Sequence, residues 1–218
     1  MYKNGIIKIE KKKGKYSLRV KNYLDNSFFI NSFVETFFSC KSVLSGDIKV
    51  DLIVSEIISL EDLIKKGMTM ELLELLFNSM VEQLKQLEQT NNTISNFSPK
   101  HIYLFKSKII ESVDKFIFLN IKDVYEMDNG KLLIDKPFHI KKNMAPEFKK
   151  VKKIPNRTVT KTAAYWSLAD LIQNILNKKL DKKLDIRGTK MDIRGTKLYW
   201  ALKRCLIKEE NHRFLLLI

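Results

Sequence analysis

Apolar positions repeat along this chain at two spacings. Over residues 5 to 31 the spacing is two. Gly5-Ile6-Ile7-Lys8-Ile9-Glu10 alternates weakly and Lys15 to Lys21 more clearly, with Tyr16, Leu18 and Val20 on one face of a strand. Lys13-Gly14 and Asp25-Asn26-Ser27 read as turns, and Phe28-Phe29-Ile30 as a third strand. Ser32 to Leu44 is expected to be helical, with Phe33, Val34, Phe37, Phe38 and Cys40 or Val43 as its apolar stripe. Val50 to Ile58 reads as one buried strand run, and Ser59 with Asp62 as a helix-start capping pair. From Thr69 to Gln89 the spacing is helical: Leu73, Leu76, Phe77, Met80, Val81, Leu84 and Leu87 recur on one face. Thr69 suits the N-cap there, and Glu71 and Glu74 suit the positive end of the helix dipole. Strand-like runs follow at His101 to Phe105 and Phe116 to Ile121, with a turn at Asp128-Asn129-Gly130. After Pro155 helices are expected over Ala163 to Leu176, burying Trp166, Leu168, Leu171, Ile172 and Ile175, and over Lys197 to Ile207.

At 218 residues the chain fits one domain, or one large and one small lobe. The net charge of +15 changes the picture, because a field of that size attracts nucleic acid, acidic proteins or anionic surfaces. The lysines are spread over 11–15, 141–153 and 178–183 rather than gathered in a tail, as on a solvated basic surface. Cys40 and Cys205 lie far apart, outside any metal-binding or disulfide spacing, and read as small buried groups. No secretory-leader pattern opens the sequence and no apolar run approaches a membrane span, so an intracellular, soluble protein without membrane insertion is expected. The abundance of Lys, Ile and Asn fits an AT-rich genome, such as that of a parasite or a large DNA virus. One unit, Asp185-Ile186-Arg187-Gly188-Thr189-Lys190, recurs as Asp192-Ile193-Arg194-Gly195-Thr196-Lys197. Two copies are too few for a solenoid and read as a duplication in a surface loop.

A series of short signals runs through the second half. Met144-Ala145-Pro146-Glu147 is followed by Trp166-Ser167-Leu168 in an apolar helix and by Arg213 after Asn211-His212. Upstream stand Val54-Ser55-Glu56 and Leu60-Glu61-Asp62-Leu63. In this order they resemble the eukaryotic-type protein kinases. The resemblance implies an α+β, bilobal fold: a reduced β-rich N-lobe over 1–58 with one helix, and a mainly helical C-lobe over 59–218. It implies a hinge at Val54-Ser55-Glu56 and a buried ion pair between Glu147 and Arg213, near Trp166. The Asp that opens the Trp-Ser-Leu motif in that family is replaced by Ala164, which implies a weaker tie from this helix to the catalytic loop.

The reactive positions depart from the family. Ile94 to Leu104 aligns with the catalytic loop, where Asn96 stands for the base Asp and His101 for the magnesium-binding Asn. A neutral amide is no carboxylate base, and imidazole is a poor ligand for hard magnesium. Asn120-Ile121-Lys122 stands where the metal-binding Asp motif belongs, leaving Asp123 and Asp135 as substitutes. No glycine-rich loop occurs. Lys21, with Glu35 as helix partner, is the candidate for the nucleotide-binding strand lysine, and the alternative for Lys21 is an ordinary surface lysine. His101, His139 and His212 share no ligand spacing, and Ser95 and Ser98 lack nucleophile-elbow glycines, so neither a metal site nor a hydrolase is indicated.

Three functions follow in order. The first is a catalytically inactive kinase-like protein, a pseudokinase, that binds another protein: an active kinase, or an acidic or phosphorylated protein. It needs no cofactor. The second is a divergent serine/threonine-type phosphotransferase using ATP and magnesium through Lys21, Glu35, Asp123 or Asp135. The third is nucleic-acid binding through a basic patch at Lys149, Lys150, Lys152, Lys153 and Arg157, which could equally receive an acidic protein.

Overall fold

The structure, a computed structural model, describes residues 3, 7–21, 38–44, 47–108, 113–181 and 193–218, with 38–44 and 178–181 described through their backbone alone. Strands β1 (Ile7–Lys12) and β2 (Lys15–Val20) form a hairpin across Lys13-Gly14. Both turn residues have positive φ, which suits a two-residue turn matched to the strand twist and makes Gly14 apt at the second position. β2 pairs with β4 (Asp47–Leu52), and β4 with β3 (Phe38–Leu44), closing an antiparallel sheet of order β1-β2-β4-β3. Leu18, Val20, Ile48 and Val50 are fully buried beneath it.

Two expectations need correction here. Phe38–Leu44 is a strand, not the second half of a helix. A bulge between Phe38 and Cys40 breaks its register, so the period of two is interrupted and the apolar spacing mimics a helical stripe. The run from Val50 to Ile58 is two strands. The chain leaves the first sheet after Leu52, and β5 (Val54–Ser59) joins β7 (Ile102–Ser107) and β8 (Lys115–Phe118) in a second antiparallel sheet of order β5-β7-β8. The expected strand at 28–30, the first part of the expected helix at 32–37, Glu35, the side chain of Cys40 and the first repeat copy at 185–190 lie outside what is described.

Ser59 caps α1 (Leu60–Lys66): its Oγ accepts from the Asp62 N–H at 3.1 Å and donates to the Asp62 carboxylate at 2.6 Å. Thr69 caps α2 (Met70–Gln89), accepting from the Leu72 N–H at 3.3 Å. α2 buries the stripe its spacing predicts, at roughly 1.5–3 kcal/mol per large side chain. Two polar residues interrupt that stripe. Ser79 Oγ accepts from the Phe116 N–H, and Gln83 both accepts from the Phe118 N–H and donates to the Phe118 carbonyl, each at 3.0 Å. These bonds satisfy backbone groups on the edge strand β8 that no neighbouring strand reaches.

β6 (Asn92–Ile94), β9 (Val124–Asp128) and β10 (Lys131–Leu132) form a third antiparallel sheet, with β9 and β10 joined at Asn129-Gly130, both at positive φ. α3 (Thr162–Asp181) packs on α2 and on α4 (Lys197–Cys205). Tyr165 donates to Glu88 at 2.7 Å and Lys161 pairs with Glu88 at 2.6 Å, tying the start of α3 to the end of α2. Thr196, in the second repeat copy, caps α4 by accepting from the Tyr199 N–H at 3.1 Å. Cys205 is buried at the end of α4, and burial pushes its thiol up to about 12. The whole is α+β, with one apolar cluster running from Ile7 to Cys205 and a smaller one around Leu132, Ile134, Met144, Phe148 and Val159. Among the described residues no helix is long and apolar enough to cross a membrane.

Replacing Gln83 by Leu strands both backbone groups of Phe118 in the core. The unfolding free energy is expected to fall by about 2–4 kcal/mol in a urea titration. A loss within the noise of the titration would show that these two bonds are dispensable.

Candidate functional site

Several polar residues converge on one pocket of about 340 Å³. It lies between α1, the segment from Asn96 to His101, Asp123, the segment from Lys141 to Asn143, and one face of α3. Asn96 lines it and is buried at 2% exposure, yet its Oδ1 has no hydrogen-bond partner. The backbone beside it is clamped from both sides. The Phe97 N–H donates to Ser167 Oγ on α3 at 2.8 Å, and the Phe97 carbonyl accepts from Asn143 Nδ2 at 2.8 Å. Ser167 is fully buried. The tie from α3 to this loop, expected to be weakened by Ala164, is therefore carried one helical turn further on by Ser167.

Asp123 closes a 3-10 turn (Ile121–Asp123). In such a turn residues three apart eclipse one another. This sets Asn120 Nδ2 2.8 Å from Asp123 Oδ2. Asp123 Oδ1 meets the Lys141 ammonium in a short ion pair. The Asp123 carbonyl also accepts from the Ser95 N–H at 2.8 Å, which ties the carboxylate to the loop bearing Asn96. One oxygen of the carboxylate thus faces an amide and the other a cation, and the group is 5% exposed. His101 lines the same pocket, its ring edge-on to Phe118 at 6.4 Å between centroids. Burial holds its pKa below the ordinary 6.5, opposed by the Asp123 charge.

Of the residues singled out from sequence, Asn96, His101 and Asp123 are brought together. Asp135, the other candidate aspartate, is exposed and outside the pocket lining. Lys21 is exposed just past the end of β2, also outside the lining, as expected of an ordinary surface lysine. Lys149, Lys150, Lys152, Lys153 and Arg157 are all exposed, with Arg157 paired to Asp128 at 3.2 Å. Lys141, Asn143, Ser167 and Asn174 are pocket or supporting residues not foreseen. Asn174 donates to Asp170 Oδ2 at 3.0 Å and lies 3.4 Å from Asn143 Oδ1. Its position one turn beyond Asp170 on α3 was the available signal for that pair.

Behind the pocket, Glu147 and Arg213 form an ion pair in which the Arg213 side chain is 0% exposed. Arg213 Nε donates to the Ile207 carbonyl at 2.6 Å and Nη2 to the Lys208 carbonyl at 3.1 Å. The guanidinium also lies 4.8 Å from the centre of the half-buried Trp166 ring. The contact with Glu147 is ionic rather than an aligned hydrogen bond, since Arg213 Nη1 and both Glu147 oxygens lack one.

Glu147→Leu alone leaves the Arg213 charge buried and is expected to cost about 3–5 kcal/mol in stability. Adding Arg213→Met should return part of that loss in a double-mutant cycle; strict additivity would argue against a coupled pair. His101 titrates below its ordinary value in the folded state. As pH falls through about 6.5, the unfolded chain takes up a proton that the folded one resists, so stability declines on the acid side. Melting temperatures at about pH 7.5 and about pH 5.5 should differ less for His101→Gln than for the parent. A scan against protein-family models finds no match to this chain, and neither does a search of the curated proteins.

Proposed function

We propose that this chain is a catalytically inactive protein-kinase-like protein that acts by binding another protein. One observation carries the reading. Among the described residues lining the pocket the one carboxylate, Asp123, is engaged on both oxygens by Asn120 and Lys141, and the lining residue where a base would act is the amide Asn96. Phosphoryl transfer needs a base or positioning carboxylate and metal-held phosphates. Magnesium takes an octahedron of oxygen ligands, usually with one or two carboxylates. A single ion-paired Asp beside a half-buried imidazole and an amide does not fit that ion. The kinase-like part of the reading is supported by the order of strands and helices, by the pairing of β6 with β9 around the loop bearing Asn96, and by the Glu147–Arg213 contact.

A protein partner is favoured by the far end of the molecule. Trp200, Phe214 and Leu217 are 49%, 40% and 53% exposed. Lys203 lies over the Trp200 ring and Arg204 over the Phe214 ring. Trp and Arg side chains are the residues most often found to dominate protein interfaces.

Purified chain incubated with radiolabelled ATP, magnesium or manganese and a generic protein substrate is expected to give no phosphate incorporation above a no-protein blank. Its melting temperature should not move with ATP and metal, because a ligand of the folded state would raise it. Incorporation abolished by Asp123→Asn would overturn the proposal and establish the divergent phosphotransferase in its place.

A further inference from the structure

The same pocket has properties that a spent catalytic cleft does not require. Lys100, Lys141 and Lys142 line it against the one carboxylate of Asp123. Lys141 is neutralised by that carboxylate, leaving Lys100 and Lys142, both exposed, as cations at the mouth. The buried Asn96 also lines the pocket, and its amide oxygen has no hydrogen-bond partner. A buried acceptor left unmade costs about 1–3 kcal/mol, so a ligand that supplied a donor there would recover it. Ile64, Leu171 and Ile175 give the lining an aliphatic part, beside the polar Ser98, Asn143 and Asn174. Among the described residues lining it, the one aromatic side chain is the His101 imidazole, with no Phe, Tyr or Trp on which a nucleobase would stack.

We propose that this pocket captures a phosphoserine or phosphothreonine side chain of a partner protein. Such a residue carries every group the pocket lacks. Its phosphate oxygens meet the two lysines, as point charges attract a dianion. Its short aliphatic stem lies against Leu171 and Ile175. Its backbone N–H is the donor that the Asn96 oxygen needs, and the Asn96 NH₂ is a second donor to the phosphate. The rigidity is already built, because Phe97 is fixed by Ser167 and Asn143, and capture requires little reordering of the loop. This inference rests on the reading of the chain as a non-catalytic binder, and it names the chemistry of what is bound.

The test uses the full chain without nucleotide. Fluorescent seven-residue peptide pools, degenerate except for a central phosphoserine or phosphothreonine, are titrated by anisotropy beside pools with the unmodified residue. Binding is expected only to the phosphorylated pools. It should weaken about tenfold in Lys142→Met and in Asn96→Leu, the change expected for losing one charge-assisted contact. Lys203→Met, on α4, should leave it unchanged. Equal binding of both kinds of pool, or phosphate-dependent binding that neither pocket variant weakens, overturns the proposal. So does displacement by AMP or inorganic phosphate at the peptide's own concentration, which would mark a small-anion hole. Lys142 is exposed, so its variant decides the matter should Asn96→Leu fail to fold. Absence of peptide binding with no phosphotransfer sinks this inference alone, whereas phosphotransfer sinks the function proposed above.

Discussion

A guanidinium with no exposed surface cannot remain in a protein core without a counter-charge, and Arg213 is such a group. Its demands fix three segments at once. Glu147 must lie beside it, the Ile207 and Lys208 carbonyls must turn inward, and Trp166 must stand over its face. Glu147 belongs to the 3-10 turn Pro146–Lys150, whose Phe148 fills the smaller apolar cluster. Trp166 precedes Ser167, which holds Phe97 and with it the pocket loop. A buried charge outside the pocket lining is thus linked through Trp166 and Ser167 to the loop that carries Asn96.

Buried polar groups in this molecule are not all held equally. Losing one partner of a buried ion pair, or one side of the Gln83 clamp on β8, leaves an uncompensated group in the core. A polar group left without a partner, or paired with a partly exposed lysine, is held less completely. The structure contains both situations. The buried clamps at Gln83 and Ser167 are complete, whereas the pocket has an amide with an idle oxygen and a carboxylate bound to lysine.

Legibility in the sequence followed the physics of each element. α2 was readable because seven large apolar residues hold a helical spacing and Thr69 marks the start. Ser59 with Asp62, and the turns at Lys13-Gly14 and Asn129-Gly130, were readable because local chemistry alone determines them. The meeting of Glu147 with Arg213 came from a resemblance, since nothing in the spacing of two residues so far apart would bring them together. β3 was misread because a bulge erases the alternation that identifies a strand. Lys141, Asn143 and Asn174 were missed because their roles exist only once distant segments pack together. An isolated lysine or asparagine carries no sign of the carboxylate or carbonyl it will meet.

The tandem Asp-Ile-Arg-Gly-Thr-Lys unit has a bearing on inheritance. Its second copy ends in Thr196-Lys197, the cap and first residue of α4. Because the first copy ends in the same Thr-Lys pair, excising either unit by slippage during replication would still join an identical Thr-Lys pair to Leu198. Tract length can drift between lineages while the helix keeps its first hydrogen bond.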